Sequence, residues 1–238
     1  MSLDRDPRVR RRFRRIALGL ALGLVCLAVV FRNPWFRGNR GVVAPGLVYR
    51  SAQPVGDWAA RVRDEHLATV LNLRGGSDAD PWYRAEVEAT RKLGVDFFDL
   101  PMSATVRPPR GQLLAVLDLL DRCRYPLLIH CKSGSDRTGL VSALYLMSRA
   151  GEGPGAAERA FSVYYGHIPL LGTRHLHEPL REYAAFLAAG HLAHTAARFR
   201  AWVERDYRSD DPPGPAAPVA AGPRDRRLVR ASAHRSGG

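Results

Sequence analysis

The chain of 238 residues is poor in cysteine, with only Cys26, Cys123 and Cys131. Three cysteines cannot build a disulfide framework, and no C-x-x-C or histidine-spaced set marks a zinc site. Cysteine here is therefore read as chemistry or packing, and no metal and no cofactor are expected. No internal repeat and no Walker-type G-x-x-x-x-G-K-[ST] stretch occur. Charge is scarce in the body of the chain. The formal net charge is +13, but residues 1–40 hold ten Arg against two Asp, and residues 209–238 five Arg against three Asp. That leaves a net of +3 for residues 41–208. A near-neutral body with basic ends gives no ground for a nucleic-acid partner.

Long hydrophobic runs are also few. The sixteen uncharged residues from Ile16 to Phe31 form a helix of ~24 Å, short of a hydrocarbon core of ~30 Å. Flanking arginines can snorkel, and no A-x-A-like cleavage site follows. An uncleaved transmembrane helix is therefore expected over 16–36, behind a basic tail at 1–15. Seven arginines between Arg5 and Arg15 outnumber Arg32, Arg37 and Arg40. The excess predicts a single-pass inner-membrane protein with a cytoplasmic N-terminus and an extracytoplasmic catalytic domain. Residues 209–238, rich in Pro, Ala, Gly and Arg, are expected to be disordered.

Between these ends, apolar β-branched segments alternate with helical patterns. "GLVYRS", "ATVLNLR", "VDFFDL" and "YPLLIH" read as strands. "DWAARVRDEH", "DPWYRAEVEATRKLG", "PPRGQLLAVLDLLDRC", "RTGLVSALYLMSRAG", "GPGAAERAFSVYY" and the stretch 178–207 read as helices. In the second of these, Asp80 is a candidate N-cap, Pro81 takes the first helical position and Gly94 follows the end. This alternation predicts an α/β domain over 41–208, with a central, mostly parallel sheet flanked by helices.

"LLIHCKSGSDRTGL" carries the chemistry. A strand runs into a polar turn, and the turn into a helix. Ligands of open α/β sheets bind beyond the carboxyl ends of strands. At such a turn the backbone N–H groups and the helix dipole attract anions. Gly134 lets the chain curl closely round a ligand. Arg137 offers a planar fork for two phosphate oxygens. The field that attracts phosphate also favours a thiolate at Cys131, a nucleophile for phosphoryl transfer. Thr138 is placed to hydrogen-bond the sulfur, and His130 to orient the loop.

"HCKSGSDRTG" matches H-C-x5-R-[ST]-G and so resembles the cysteine-dependent protein tyrosine and dual-specificity phosphatase superfamily. "LVYRSAQP", "VLNLRG" and "WYRAEVEATRKLGVDFFDLPMS" are similar to segments of its compact bacterial and fungal members. The resemblance covers about residues 44–187. It implies Cys131 as nucleophile, Arg137 as transition-state clamp and a phosphate held by the amides of Lys132, Ser133, Gly134, Ser135, Asp136 and Arg137. It also implies a phosphomonoesterase working through a phosphocysteine, with a phosphorylated protein or a lipid or inositol phosphate as substrate; a monomer is expected. The alternative is a catalytically silent phosphate binder or scaffold using the same cradle.

The general acid has two candidates. Asp99 lies 32 residues before Cys131, in or just after a strand. Asp136 lies inside the cradle, where it serves either as acid or as a cap of the helix start. Lys132 is a second cation of the cradle or a solvated lysine. Arg50, Arg74 and Arg174 are candidates to line the site or to sit in surface pairs. His167, His175 and His177 read as a packed connection, and Tyr164 and Tyr165 as core. Cys123 can pair with Cys131 only if their Cα atoms lie within ~7 Å.

Overall fold

The computed structural model describes residues 7–30, 32–208 and 220–221. Two helices lead, α1 (Pro7–Val30) and α2 (Arg32–Phe36). The alternating body follows as β1 (Gly41–Ala44), β2 (Val48–Ser51), α3 (Trp58–Asp64), β3 (Thr69–Asn72), α4 (Pro81–Leu93), β4 (Asp96–Asp99), α5 (Arg110–Arg122), β5 (Leu127–His130) and α6 (Asp136–Ser148). After it come α7 (Pro154–Ala157), α8 (Glu178–Ala189), α9 (Ala196–Arg205) and the two-residue strand β6 (Ala220–Ala221).

The sheet order is β1-β2-β5-β3-β4-β6. The four central strands are parallel, and the two edge strands run antiparallel to their neighbours. The expected α/β layering is therefore present. Side chains alternate across the sheet as strand geometry requires. Leu127, Ile129, Leu71 and Phe98 join one core with α5, α6, α8 and α9. Leu128, Val70 and Phe97 join the other, beneath Trp58 and Val62 of α3 and Tyr83 and Val87 of α4. Burial on both faces explains why these strands read as continuous apolar runs.

The register places the site. Ser51 and Asn72 each stand beside His130, and Asn72 beside Asp99. The four parallel strands thus end level with one another. The turn that follows His130 sits above that common edge and feeds α6, whose residues from Thr138 to Met147 are all buried.

The transmembrane helix does not hold. No helix among the described residues is long and apolar enough to cross a membrane. α1 has 24 residues, but Arg8, Arg10, Arg11, Arg12, Arg14 and Arg15 occupy its first half. The uncharged part from Ile16 to Val30 spans only ~22 Å, well under the ~30 Å of a bilayer core. The single-pass inner-membrane placement, with its cytoplasmic N-terminus and extracytoplasmic catalytic domain, rested on that helix and falls with it. The disorder expected over 209–238 lies outside the described residues, except at Ala220–Ala221.

Smaller differences are local. Gly94 caps α4 at φ 74° as expected, but Asp80 accepts from Ser77 rather than from the helix amides. The helix expected over 153–165 breaks after Ala157 into two short 3-10 turns. Tyr164 is 49% exposed, not core. Cys123 and Cys131 are both free. They lie at opposite ends of β5, whose four residues alone span ~13 Å, beyond the ~7 Å of a disulfide. Burial pushes the Cys123 thiol up to about 11, which leaves it a packing residue.

Candidate active site

The turn from Cys131 to Ser135 is held by its carbonyls. The Gln53 backbone N–H donates to the Lys132 carbonyl at 3.2 Å. The Asn39 side-chain amide donates to the Ser133 carbonyl at 2.8 Å. Arg50 Nη2 donates to the Gly134 and Ser135 carbonyls at 2.9 and 3.3 Å. Four successive carbonyls are thus drawn to donors from Asn39, from Arg50 of β2 and from Gln53 just beyond it. The amides alternate with them and are left to turn inward, the arrangement of an anion-binding nest. One such amide, Gly134 N–H, points at Cys131 Sγ at 3.2 Å. Cys131 itself is buried.

Gly134 is obligatory here for two reasons. Its φ is +72°, in the left-handed region that favours glycine. A Cβ would also meet the Ser51 carbonyl carbon and the Ala52 nitrogen at 2.5 Å, both of them backbone atoms.

Arg50 is the main brace. It is fully buried, and its Nη1 also donates to the Ala160 carbonyl at 2.6 Å. Its guanidinium stacks on the Tyr165 ring at 3.7 Å. Burial pulls its pKa down to about 10, opposed by Tyr165 and Cys131. It therefore remains charged at neutral pH and adds positive potential behind the thiol. Asn39 does a second job, donating to the Tyr165 carbonyl at 2.8 Å. Ser135 Oγ donates to the same carbonyl at 2.6 Å. The loop around Tyr165 is thereby locked to the cradle.

Arg137, the second residue of α6, reaches across the strand ends. Its Nη1 donates to the Leu73 and Met102 carbonyls at 3.3 Å each, while its buried Nε makes no hydrogen bond. Thr138 Oγ1 is buried and makes none either, so the bond expected from Thr138 to sulfur is not formed. Lys132 and Ser133 are exposed at the rim. His130 is fully buried, with Nε2 2.7 Å from Glu86 Oε1, within ion-pair distance but off the hydrogen-bonding angle. Glu86 also accepts from Gln53 Nε2 at 2.6 Å. His130 therefore stands against Glu86 behind the cradle.

The two candidate acids stand in different surroundings. Asp99 accepts from Asn72 Nδ2 at 2.7 Å and from the Tyr83 hydroxyl. Burial raises its pKa, against the pull of those two donors. Asp136 is the first residue of α6 and makes no capping bond, so the cap role does not hold. Its carboxylate meets His167 Nδ1 at 2.7 Å. His167 Nε2 meets His177 Nε2 at 2.8 Å, and His177 Nδ1 lies 3.5 Å from Glu158. Both rings are buried, and Phe161 stacks on His177 at 4.1 Å. Burial, then the neighbouring His167 and Arg181, lower the pKa of His177.

This histidine pair, like Asn39 and Gln53, is a feature that sequence reading did not assign to the site. Its only signal was three histidines within eleven residues. His175 is apart from the pair, bonded to Glu178 at 2.6 Å. Arg74 stacks on Trp82 at 3.6 Å, and Arg174 is exposed. Among the described residues no group of three or more His, Cys, Asp or Glu is placed to hold a metal ion.

A family model described as PTP-SAK, a Swiss Army Knife protein, DSP-PTPase phosphatase domain, matches residues 40–186, well over half of the chain. The fold is similar to that of P. aeruginosa TpbA, at 24% identity over 70% of this chain and 91% of that one, with a TM-score of 0.50. TpbA in complex with pTyr is 22% identical over 72% and 99%, again at 0.50. The core catalytic domain of the PP-IP phosphatase Siw14 from S. cerevisiae, in complex with citrate, is 19% identical over 64% and 93%, at 0.48.

Proposed function

Because the chain belongs to the DSP-PTPase phosphatase family and is a cysteine-based phosphoric monoester hydrolase, we propose that it works through a phosphocysteine on Cys131, with Asp136 as general acid. One observation carries the reading. The carbonyls of Lys132 to Ser135 are all drawn outward, and Gly134 N–H points at Sγ. A phosphate seated over the sulfur meets amides on one side and the Arg137 fork on the other.

In the first step the Cys131 thiolate attacks phosphorus and the ester P–O bond breaks. The leaving oxygen takes the proton of Asp136. In the second step water attacks phosphorus and the S–P bond breaks. Asp136 takes a proton from that water, and inorganic phosphate leaves. Arg137 and the loop amides hold the equatorial oxygens throughout.

The histidine pair suits a carboxylate that must change protonation state each cycle. With Asp136 ionised, His167 donates from Nδ1 to Asp136 and His177 donates from Nε2 to His167. With Asp136 protonated, all donors reverse, and His177 Nδ1 faces Glu158. Both patterns use neutral rings, and burial favours the neutral form of His177. His167 and His177 act in this reading as positioning residues.

The proposed substrate is a phosphotyrosine side chain in a protein. TpbA, of like fold, has been crystallised with pTyr. The test is Cys131→Ser together with acid quenching. Wild type turning over a radiolabelled phosphotyrosine peptide should trap protein-bound label, and Cys131→Ser should trap none and hydrolyse nothing. Rapid turnover by Cys131→Ser would exclude the phosphocysteine.

A further inference from the structure

Next to the catalytic loop is a second cavity, of ≈ 550 Å³, lined by Arg37, Arg40 and Arg61. Gln53 forms part of its wall, and the Gln53 backbone is the donor to the Lys132 carbonyl. The cavity and the cradle therefore share a hydrogen bond. No Asp or Glu is among the described lining residues.

Arg61 has an unusual position for a guanidinium. Its side chain is 4% exposed. Nε pairs with Glu65 at 3.1 Å and Nη1 donates to Ser51 Oγ at 3.0 Å. Nη2 is buried and makes no hydrogen bond. A buried donor left in this way is costly, and a cation more so. Burial lowers the pKa of Arg61, and Arg40 adds repulsion. Arg37 and Arg40 are exposed, and neither guanidinium has a partner among the described residues. Three guanidinium groups thus stand around one cavity, and of these only Arg61 is ion-paired among the described residues.

We propose that this cavity binds a second phosphate group, carried by a phosphorylated organic molecule or supplied as free phosphate. Planar forks match phosphate oxygens two at a time. The volume lies within the ~300–1,000 Å³ of organic-ligand sites. Val55 and Tyr164 add apolar surface for a carbon skeleton.

The test uses the full chain carrying Arg37→Ala and Arg40→Ala, both exposed and outside the catalytic machinery. One arm measures kinetics on p-nitrophenyl phosphate and on an inositol bisphosphate. The other counts inorganic phosphates bound by Cys131→Ser, with and without the arginine changes, by calorimetry at fixed ionic strength. A KM for the bisphosphate raised about tenfold, with p-nitrophenyl phosphate kinetics unchanged, assigns the cavity to a substrate's second phosphate. Unchanged bisphosphate kinetics with a fall from two bound phosphates to one assigns it to free phosphate. Equal losses on both substrates would place the arginines in the cradle itself and overturn the inference. So would one bound phosphate in both Cys131→Ser proteins with unchanged kinetics. Arg61→Met, which keeps the packing and removes the charge, should repeat the effect of the double change. Absence of hydrolysis by the wild type would sink the phosphatase chemistry while leaving the phosphate count readable.

Discussion

Asp99 and Asp136 present the same functional group in two different regions of the molecule. Asp99 ends β4, level with the ends of its neighbours, and is knotted to Asn72 of β3 and Tyr83 of α4. Its two partners hold it fixed and close off both oxygens. Asp136 begins α6, with one oxygen on a chain of two buried histidines that ends at the half-exposed Glu158. The first arrangement ties elements together. The second, in the proposed mechanism, gives a proton a way to arrive and leave without breaking the fold. The partners of the two carboxylates differ in kind, and the proposed choice of acid rests on that difference.

The largest effect that would sharpen this contrast is on turnover. Asp136→Asn removes the proton donor and keeps the shape. It should lower kcat on an alkyl phosphate by about 10²–10⁴-fold. On p-nitrophenyl phosphate, whose leaving group needs little protonation, the loss should be smaller. Steady-state rates on the two substrates check this. Equal losses on both would remove the acid role and make Asp136 a structural partner of His167.

Asp99 should respond in stability instead. Asp99→Ala removes the 2.7 Å acceptor of the Asn72 amide, which keeps only a 3.4 Å bond to the Gly75 carbonyl, and the acceptor of the part-buried Tyr83 hydroxyl. That should cost about 1–3 kcal/mol per orphaned group, read as a shift of the urea midpoint. Turnover of p-nitrophenyl phosphate should stay within about threefold once the protein is folded. A folded Asp99→Ala protein without activity would reverse the comparison and make Asp99 the acid.

The contrast also marks what the sequence made legible. The proposed nucleophile Cys131, Gly134 and the Arg137 fork lie on one strand, turn and helix, so their spacing carried the geometry directly. The layered fold was legible for a similar reason, since strands buried on both faces are apolar at every position. The brace was not. Arg50 sits 84 residues from Gly134, and Asn39 94 residues from Ser133. Only the register of β2 beside β5 brings them to the loop. Asp136 and His167 are 31 residues apart and meet through a segment of short 3-10 turns with no helical or strand period to read. The misread anchor has the opposite cause. Uncharged length was legible in Ile16 to Phe31, but the arginines of the same helix leave too little apolar length to span a bilayer.

The smallest expected effect tests whether the histidine pair is a route or only packing. His177→Asn keeps a side chain that can hydrogen-bond His167 but cannot pass a proton on. It should lower kcat by about fivefold, near ~1 kcal/mol, and leave KM unchanged. The same substitution should alter the dependence of stability on pH, and the sign follows from the direction of the shift. Burial, His167 and Arg181 lower the pKa of His177 in the folded protein, against a partial pull upward from Glu158. The unfolded chain then binds the extra proton more readily. This contribution to stability is complete above the unfolded value of ~6.5, and it is lost as pH falls below that value towards the folded pKa. Urea midpoints taken between about pH 7 and 5 should therefore decline in wild type and decline less in His177→Asn, which has no group to charge. A route for protons predicts both the drop in kcat and the flatter pH curve. Packing alone predicts the flatter curve with kcat unmoved, and that result would leave Asp136 to exchange its proton directly with solvent.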